Sequence, residues 1–168
     1  MALAVLGLVG IDQATKLLVQ QSFVLGEHRP IIAGCFDLTY TLNPGAAFGF
    51  LKDSSATLRV PFFFIVSTLA LGVLAYLAAS SPAGATLYRA SLVLLASGAI
   101  GNLIDRIRLG EVVDFILLYY RDYRWPAFNV ADSAITVGVA ALIIDVLRKP
   151  VRVDGVGGAA ESGVSSGT

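Results

Sequence analysis

Four apolar stretches organise this chain, over residues 2–21, 60–79, 87–104 and 130–147. Each approaches the roughly 20 residues that cross a bilayer as a helix. The last three are nearly free of charge except at their ends. The first carries Asp12 and Lys16 inside its apolar run. Between the first and second stretches lies a loop of residues 22–59. Its segment 31–41 is rich in β-branched and aromatic residues and partly alternates, so it is expected to be a strand. Asn43-Pro44-Gly45 then supplies a turn. A short connection, Ser80-Ser81-Pro82-Ala83-Gly84, joins the second and third stretches. Residues 106–128 read as a second polar loop ending in the aromatic run Tyr119-Tyr120-Arg121-Asp122-Tyr123-Arg124-Trp125. Such rings settle at a membrane interface.

Composition agrees with a bilayer. The chain is 56% apolar and 14% charged, with a mean hydropathy of +0.77, outside the balance of soluble domains. The expected fold is an α-helical polytopic membrane protein, with four spans and a small extracytoplasmic β element between the first two. Residues 1–153 form one domain, and residues 154–168, rich in Gly and Ser, form a disordered tail. A cleaved signal peptide is the rival reading of the N-terminus. It lacks a basic start and a small-residue cleavage site, and the helical pattern continues past it. Lys and Arg are spread almost evenly on the two sides, so they barely orient the chain. The compact Arg148-Lys149 pair after the last span favours cytoplasmic termini.

The charge balance removes several functions. Net charge is zero, with no basic stripe, so nucleic acid is not an expected partner. Cys35 stands alone, without an internal disulfide partner or a second thiolate for a metal. The single His28 lies in a polar loop, which argues against a zinc protease. No metal or other cofactor is expected, and no oligomer is implied.

The polar residues that remain sit where they cost most. Asp114, in Val112-Val113-Asp114-Phe115-Ile116, and Asp132, in Asn129-Val130-Ala131-Asp132, are carboxylates in strongly apolar surroundings. Such groups are usually absent, partnered or functional. Lying 18 positions apart around one loop, they are placed to share a proton and activate a water. Asp12 and Lys16 are i, i+4 on one helical face and form an internal ion pair or part of a site. Asn102, Asp105 and Arg106 fall at i, i+3, i+4 near the end of the third span. Arg106 is expected to pair with Asp105 or with a substrate carbonyl. Asn129 alone reads as a helix N-cap, with Asp132 favourable against the dipole. Gly98 and Gly101 permit close helix approach on the third span. With four spans, Asp105, Arg106, Asp114, Asn129 and Asp132 converge at one membrane interface, with Asp12 and Lys16 deeper on the first helix. The residues alone leave three readings: a membrane hydrolase, a proton-coupled transporter using the carboxylates as a relay, and a non-catalytic assembly factor held together by polar contacts.

Five short motifs sharpen the choice. Asp12-Gln13-Ala14-Thr15-Lys16, Asn43-Pro44-Gly45-Ala46-Ala47-Phe48-Gly49, Gly101-Asn102-Leu103-Ile104-Asp105-Arg106, Val112-Val113-Asp114-Phe115 and Phe128-Asn129-Val130-Ala131-Asp132-Ser133 occur in this order. In this the chain resembles the lipoprotein signal peptidase (signal peptidase II) family over about residues 5–147. The resemblance implies a membrane aspartyl endopeptidase that cuts a diacylglyceryl-modified prolipoprotein just before its lipid-modified cysteine. It implies Asp114 and Asp132 as the catalytic dyad. Asp12, Lys16, Asn43, Gly45, Asn102, Asp105, Arg106 and Asn129 would hold the substrate or orient that dyad. It also implies the bacterial plasma (inner) membrane, with membrane lipid and the lipid-modified substrate as partners and an active site at the extracytoplasmic face.

Overall fold

The computed structural model describes residues 1–45, 55–82 and 84–148. Residues 46–49 of the second motif, Phe48 and Phe50, Lys149 and the 154–168 tail lie outside them. Among the described residues the four apolar stretches are helices: α1 (Ala2–Ser22), α2 (Ala56–Ala79), α3 (Thr86–Leu109) and α4 (Val130–Arg148). All four are long and apolar enough to cross a membrane. α3 runs one turn past its expected end because Asp105, Arg106 and Arg108 remain helical; Gly110 then stops it in the left-handed conformation, at φ 76.

The interior is inside-out relative to a water-soluble protein. Among the described residues, ten buried side chains are polar or charged and seven are apolar. Large apolar groups such as Leu3, Leu69 and Leu147 are exposed along the helices. Lipid is the apolar solvent here, so polar groups gain by meeting one another inside. The chain is therefore a multi-pass membrane protein. α3 is the central element and packs on α1, α2 and α4, whereas α2 packs only on α3 among the described elements.

Glycines set how closely α3 approaches its neighbours. A Cβ at Gly98 would run into the carbonyl oxygen of Ala131 on α4 and lie 2.6 Å from Ile135 Cγ1. One at Gly101 would lie 2.5 Å from Asp12 Oδ2. The expected close approach at both positions is thus observed, and at Gly101 it also makes room for a carboxylate.

Outside the spans lies a four-stranded antiparallel sheet in the order β1 (His28–Ile32), β2 (Phe36–Asn43), β3 (Val112–Tyr120), β4 (Tyr123–Arg124). Two expectations are corrected. Segment 31–41 is not one strand: it reverses at Ala33-Gly34-Cys35, with Gly34 at φ 87, and the β-rich residues on either side of the turn pair with each other. Residues 112–120 are not loop but strand. The first four residues of β3 are all buried, so the two-residue alternation that marks a half-exposed strand is missing. Pairing Thr41 with Asp114 and Asn43 with Val112 brings the end of β2 to the start of β3, directly over the ends of α3 and α4.

Substitution at two helical glycines separates packing from propensity. Gly98→Ala is expected to lower the melting temperature in detergent, since a backbone carbonyl cannot give way and overpacking typically costs about 1–3 kcal/mol. Gly72→Ala, on α2 with nothing within 4 Å of the new Cβ, is expected to leave it unchanged or raise it, as alanine favours helix by about 1 kcal/mol over glycine. Thermal unfolding of both variants checks this.

Candidate active site

The site is built on a buried ion cluster. Asp12 and Lys16 lie one turn apart on α1 and are each 1% exposed. The Lys16 ammonium lies 2.9 Å from Asp12 Oδ2 and 2.9 Å from Asp105 Oδ2, and donates to Asn102 Oδ1 at 3.0 Å. An ammonium has three hydrogens and no lone pair, so these partners occupy it fully. Gln13 closes the cluster: its Nε2 shares its two hydrogens among Asp12 Oδ2, Asp105 Oδ1 and the Gly101 carbonyl at 3.0–3.1 Å. The other oxygen of Asp12 accepts the backbone N–H of Ala131 at 2.9 Å. Asp105 Oδ2 accepts that of Val113 at 3.1 Å.

Above the ions lies a layer of amides. Asn102 Nδ2 donates to Asp132 Oδ1 at 2.7 Å. Asn129 Nδ2 lies 2.8 Å from Asp114 Oδ1, 3.2 Å from the Val113 carbonyl and 3.3 Å from Asn102 Oδ1. Asn129 Oδ1 accepts the Asp132 backbone N–H at 2.9 Å, and Asp132 Oδ2 accepts that of Asn129 at 3.3 Å. This reciprocal pair caps α4 in the manner of a capping box. Asn129 therefore caps the helix and at the same time donates to Asp114. Asn43, at the end of β2, donates from Nδ2 to Asp114 Oδ2 at 2.9 Å and accepts the Gly45 N–H at 2.9 Å. Gly45 sits at φ 99 against the Phe63 ring, a position where a side chain has neither the conformation nor the space.

The two aspartates differ in their access to solvent. Asp114 is 2% exposed; Asp132 is half-buried and borders a cavity of about 670 Å³. α2 contributes Phe63 to this cavity and α3 Arg106. The β2 turn gives Asn43 and Gly45, the strand-to-helix connection gives Trp125 and Phe128, and α4 gives Ser133 and Thr136. The Asp114 carboxyl is pushed up to about 7. Burial is the largest cause and the charge of Asp132 the next; hydrogen bonds from Asn43 and Asn129 and the Lys16 charge pull it back. A carboxyl poised near neutrality beside a second carboxylate has the chemistry of an acid–base pair.

All the residues singled out in the sequence come together, in two layers. Asn43, Gly45, Arg106 and Asp132 line the cavity, and Asp114, Asn102 and Asn129 stand directly behind them. Asp12, Lys16 and Asp105 form the buried base and are not among the residues that line the cavity. Arg106 does not pair with Asp105, whose oxygens are taken by Lys16, Gln13 and Val113. Its guanidinium instead lies over the Phe63 ring, 5.0 Å from the centroid, and donates to the Asn102 carbonyl at 3.4 Å. The aromatic run is divided: Trp125 joins the cavity, while Tyr119 donates its hydroxyl to Asp37 at 2.8 Å. Gln13 was missed. Its signal lay in the sequence, since it adjoins Asp12 within an apolar helix, where an amide needs several partners.

Comparison with known proteins places this geometry. A family model described as signal peptidase (SPase) II matches residues 4–148. A lipoprotein signal peptidase of Geobacter sulfurreducens is 52% identical over 148 residues, covering 88% of this chain and 91% of that protein. One of Cupriavidus necator is 43% identical over 152 residues, covering 90% and 85%. A bacterial membrane enzyme solved by the in meso method at 1.9 Å resolution superposes with a TM-score of 0.78 at 35% identity, over 89% of this chain and 93% of that one. The match runs through all four spans and every strand that carries a site residue, and the chain belongs to the signal peptidase II family.

Proposed function

We propose that the chain is a membrane-embedded aspartic endopeptidase that removes signal peptides from prolipoproteins, with Asp114 and Asp132 as its catalytic pair. The observation that carries this reading is the pair itself. Two carboxylates share one amide network at a cavity wall, one open to it and the other buried with its proton held to about pH 7. The substrate in this reading carries diacylglycerol on its lipobox cysteine and is cut just before that residue. The extracytoplasmic face of the bacterial inner membrane hosts the chemistry, with both termini cytoplasmic.

The mechanism follows from which carboxyl holds the proton. Asp132 takes a proton from water as the water oxygen attacks the scissile carbonyl. Asp114 gives its proton to the carbonyl oxygen, and a neutral gem-diol forms with Asp114 ionised and Asp132 protonated. Collapse reverses the roles: Asp132 protonates the leaving nitrogen as the C–N bond breaks, and Asp114 recovers a proton from a diol hydroxyl. The products are a carboxylic acid and an amine, and the pair returns to one shared proton. Asn102 and Asn129 hold both carboxylates by N–H donors without adding charge that would fix the proton on one site. Arg106, at the cavity wall with its guanidinium over the Phe63 ring and a long contact to the Asn102 carbonyl, is placed to meet a substrate carbonyl. A relay across the bilayer fits less well: Asp114 is on the extramembrane sheet and Asp132 in the first turn of α4, both at one end of the bundle.

Asp114→Asn and Asp132→Asn are each expected to lower kcat by about 1,000-fold or more, within the range of general acid–base contributions, while keeping a cooperative thermal transition. Cleavage of a diacylglyceryl-modified lipobox peptide in detergent measures this; turnover in either folded variant removes that residue from the mechanism. In the wild type, kcat is expected to fall with rising pH around a midpoint near 7, as Asp114 loses the proton it must donate. Asn43 donates to the ionised form and so lowers that midpoint; Asn43→Ala is expected to move the alkaline limb to higher pH. A shift in the opposite direction contradicts Asp114 as the acid.

A further inference from the structure

Lys16 touches neither the cavity nor either aspartate of the pair, yet Asn102, Asp12 and Asp105 beneath the pair all meet it. Resting on the dyad reading above, we propose that Lys16 is a positioning residue that acts through Asn102: the ammonium dictates which end of the Asn102 amide faces Asp132, and so keeps that carboxylate supplied with an N–H and ready to accept a proton.

The Lys16 ammonium carries three hydrogens and no lone pair. It only donates, so the Asn102 atom 3.0 Å from it must be the oxygen. The amide is planar, which leaves the NH₂ group pointing at Asp132 Oδ1, 2.7 Å away. Reversal would set N–H against ammonium and carbonyl against carboxylate, two repulsions in place of two attractions. The Asn129 amide reinforces the choice, because its Nδ2 also lies 3.3 Å from Asn102 Oδ1 while donating to Asp114. One buried cation thereby sets the polarity of the amide that serves Asp132 and supports the one that serves Asp114.

The same cation holds the main chain. Its two carboxylate partners each accept the backbone N–H of a residue just before a member of the pair. Asp12 takes that of Ala131, ahead of Asp132, and Asp105 takes that of Val113, ahead of Asp114. With Lys16 absent, two carboxylates would face each other in a dry interior, and both anchors would loosen. The loss would fall on kcat, because substrate in the cavity does not meet α1.

The charges facing the pair come from several elements: Lys16 and Asp12 from α1, Asp105 and Arg106 from α3, with neutral amides from Asn43, Asn102 and Asn129. Removing the Lys16 charge leaves a more negative surrounding, in which Asp114 gives up its proton less readily. The alkaline limb of the rate profile therefore moves to higher pH.

The test uses the full chain in detergent, a diacylglyceryl-modified lipobox peptide, and the variants Lys16→Met, Asn102→Leu, their combination, and Gln13→Leu. Lys16→Met is expected to lower kcat roughly 100-fold, the size of loss a small misplacement of reacting groups produces, with KM within about twofold and the alkaline limb moved up. The combined variant is expected to lose no more kcat than Asn102→Leu alone. Gln13 ties the same cluster without setting the Asn102 amide, so Gln13→Leu is expected to lower the melting temperature and leave the alkaline limb in place. If Lys16→Met does not fold, Asp12→Asn/Lys16→Met, which keeps the formal charge of the cluster, carries the same expectations for kcat and KM, with its alkaline limb left near that of the wild type. Additive losses in the combined variant, a large KM change, or a Gln13→Leu profile shifted like that of Lys16→Met overturns the role of Lys16 while leaving the pair intact. Folded Asp114→Asn or Asp132→Asn that still turns over overturns the dyad reading and this proposal with it.

Discussion

Burying a lysine between two aspartates inside a bilayer is the constraint on which the rest of this protein is arranged. Each of these ions is strongly unfavourable alone in hydrocarbon, and removing one member of a buried pair typically costs about 3–5 kcal/mol. The arrangement is tolerated because every hydrogen of the ammonium is used and the carboxylate oxygens take further N–H groups from Gln13, Val113 and Ala131. Those donors and acceptors must come from α1, α3, β3 and α4 at once. The ions therefore dictate how the helices meet, and Gly101 is glycine because Asp12 occupies the space a side chain would need.

Satisfying those ions also assembles the chemistry. The residue that caps α4, Asn129, offers its oxygen to the helix and its nitrogen to Asp114, so helix formation and orientation of the carboxylate are one event. Asp132 is at once the third residue of that helix and a wall of the cavity. In most soluble enzymes an apolar core holds a polar site rigid. In this chain lipid takes the apolar side, and the polar network serves as core and as site together.

Much of this was legible in the sequence because intramembrane charge is so costly that it marks itself. The four spans, Asp12, Lys16, Asn102, Asp105, Asp114 and Asp132 stand out against hydrocarbon without any structure. The pairing within the cluster was less legible: i, i+4 spacing brought Asp12 to Lys16, but local spacing favoured Arg106 for Asp105, while the fold gives Asp105 to a lysine 89 positions earlier. The sheet was half visible. A strand exposed on one face alternates and is readable, whereas β3, whose first four residues are all buried, sets apolar residues on both sides of Asp114 and shows no alternation. Gln13 went unread because a single amide in a helix carries no charge to draw the eye.

α2 contributes Phe63 to the cavity but, among the described elements, packs on no helix except α3, while α4 also lines the cavity. Both walls belong to helices long and apolar enough to cross a membrane, which puts the cavity within reach of a substrate held in the same bilayer. A substrate anchored in the same bilayer then arrives by diffusion in a plane, and its relevant concentration is a mole fraction among lipids. Rates measured in micelles will follow surface dilution by detergent at constant bulk substrate, and a Michaelis constant in molar units will describe the micelle as much as the enzyme.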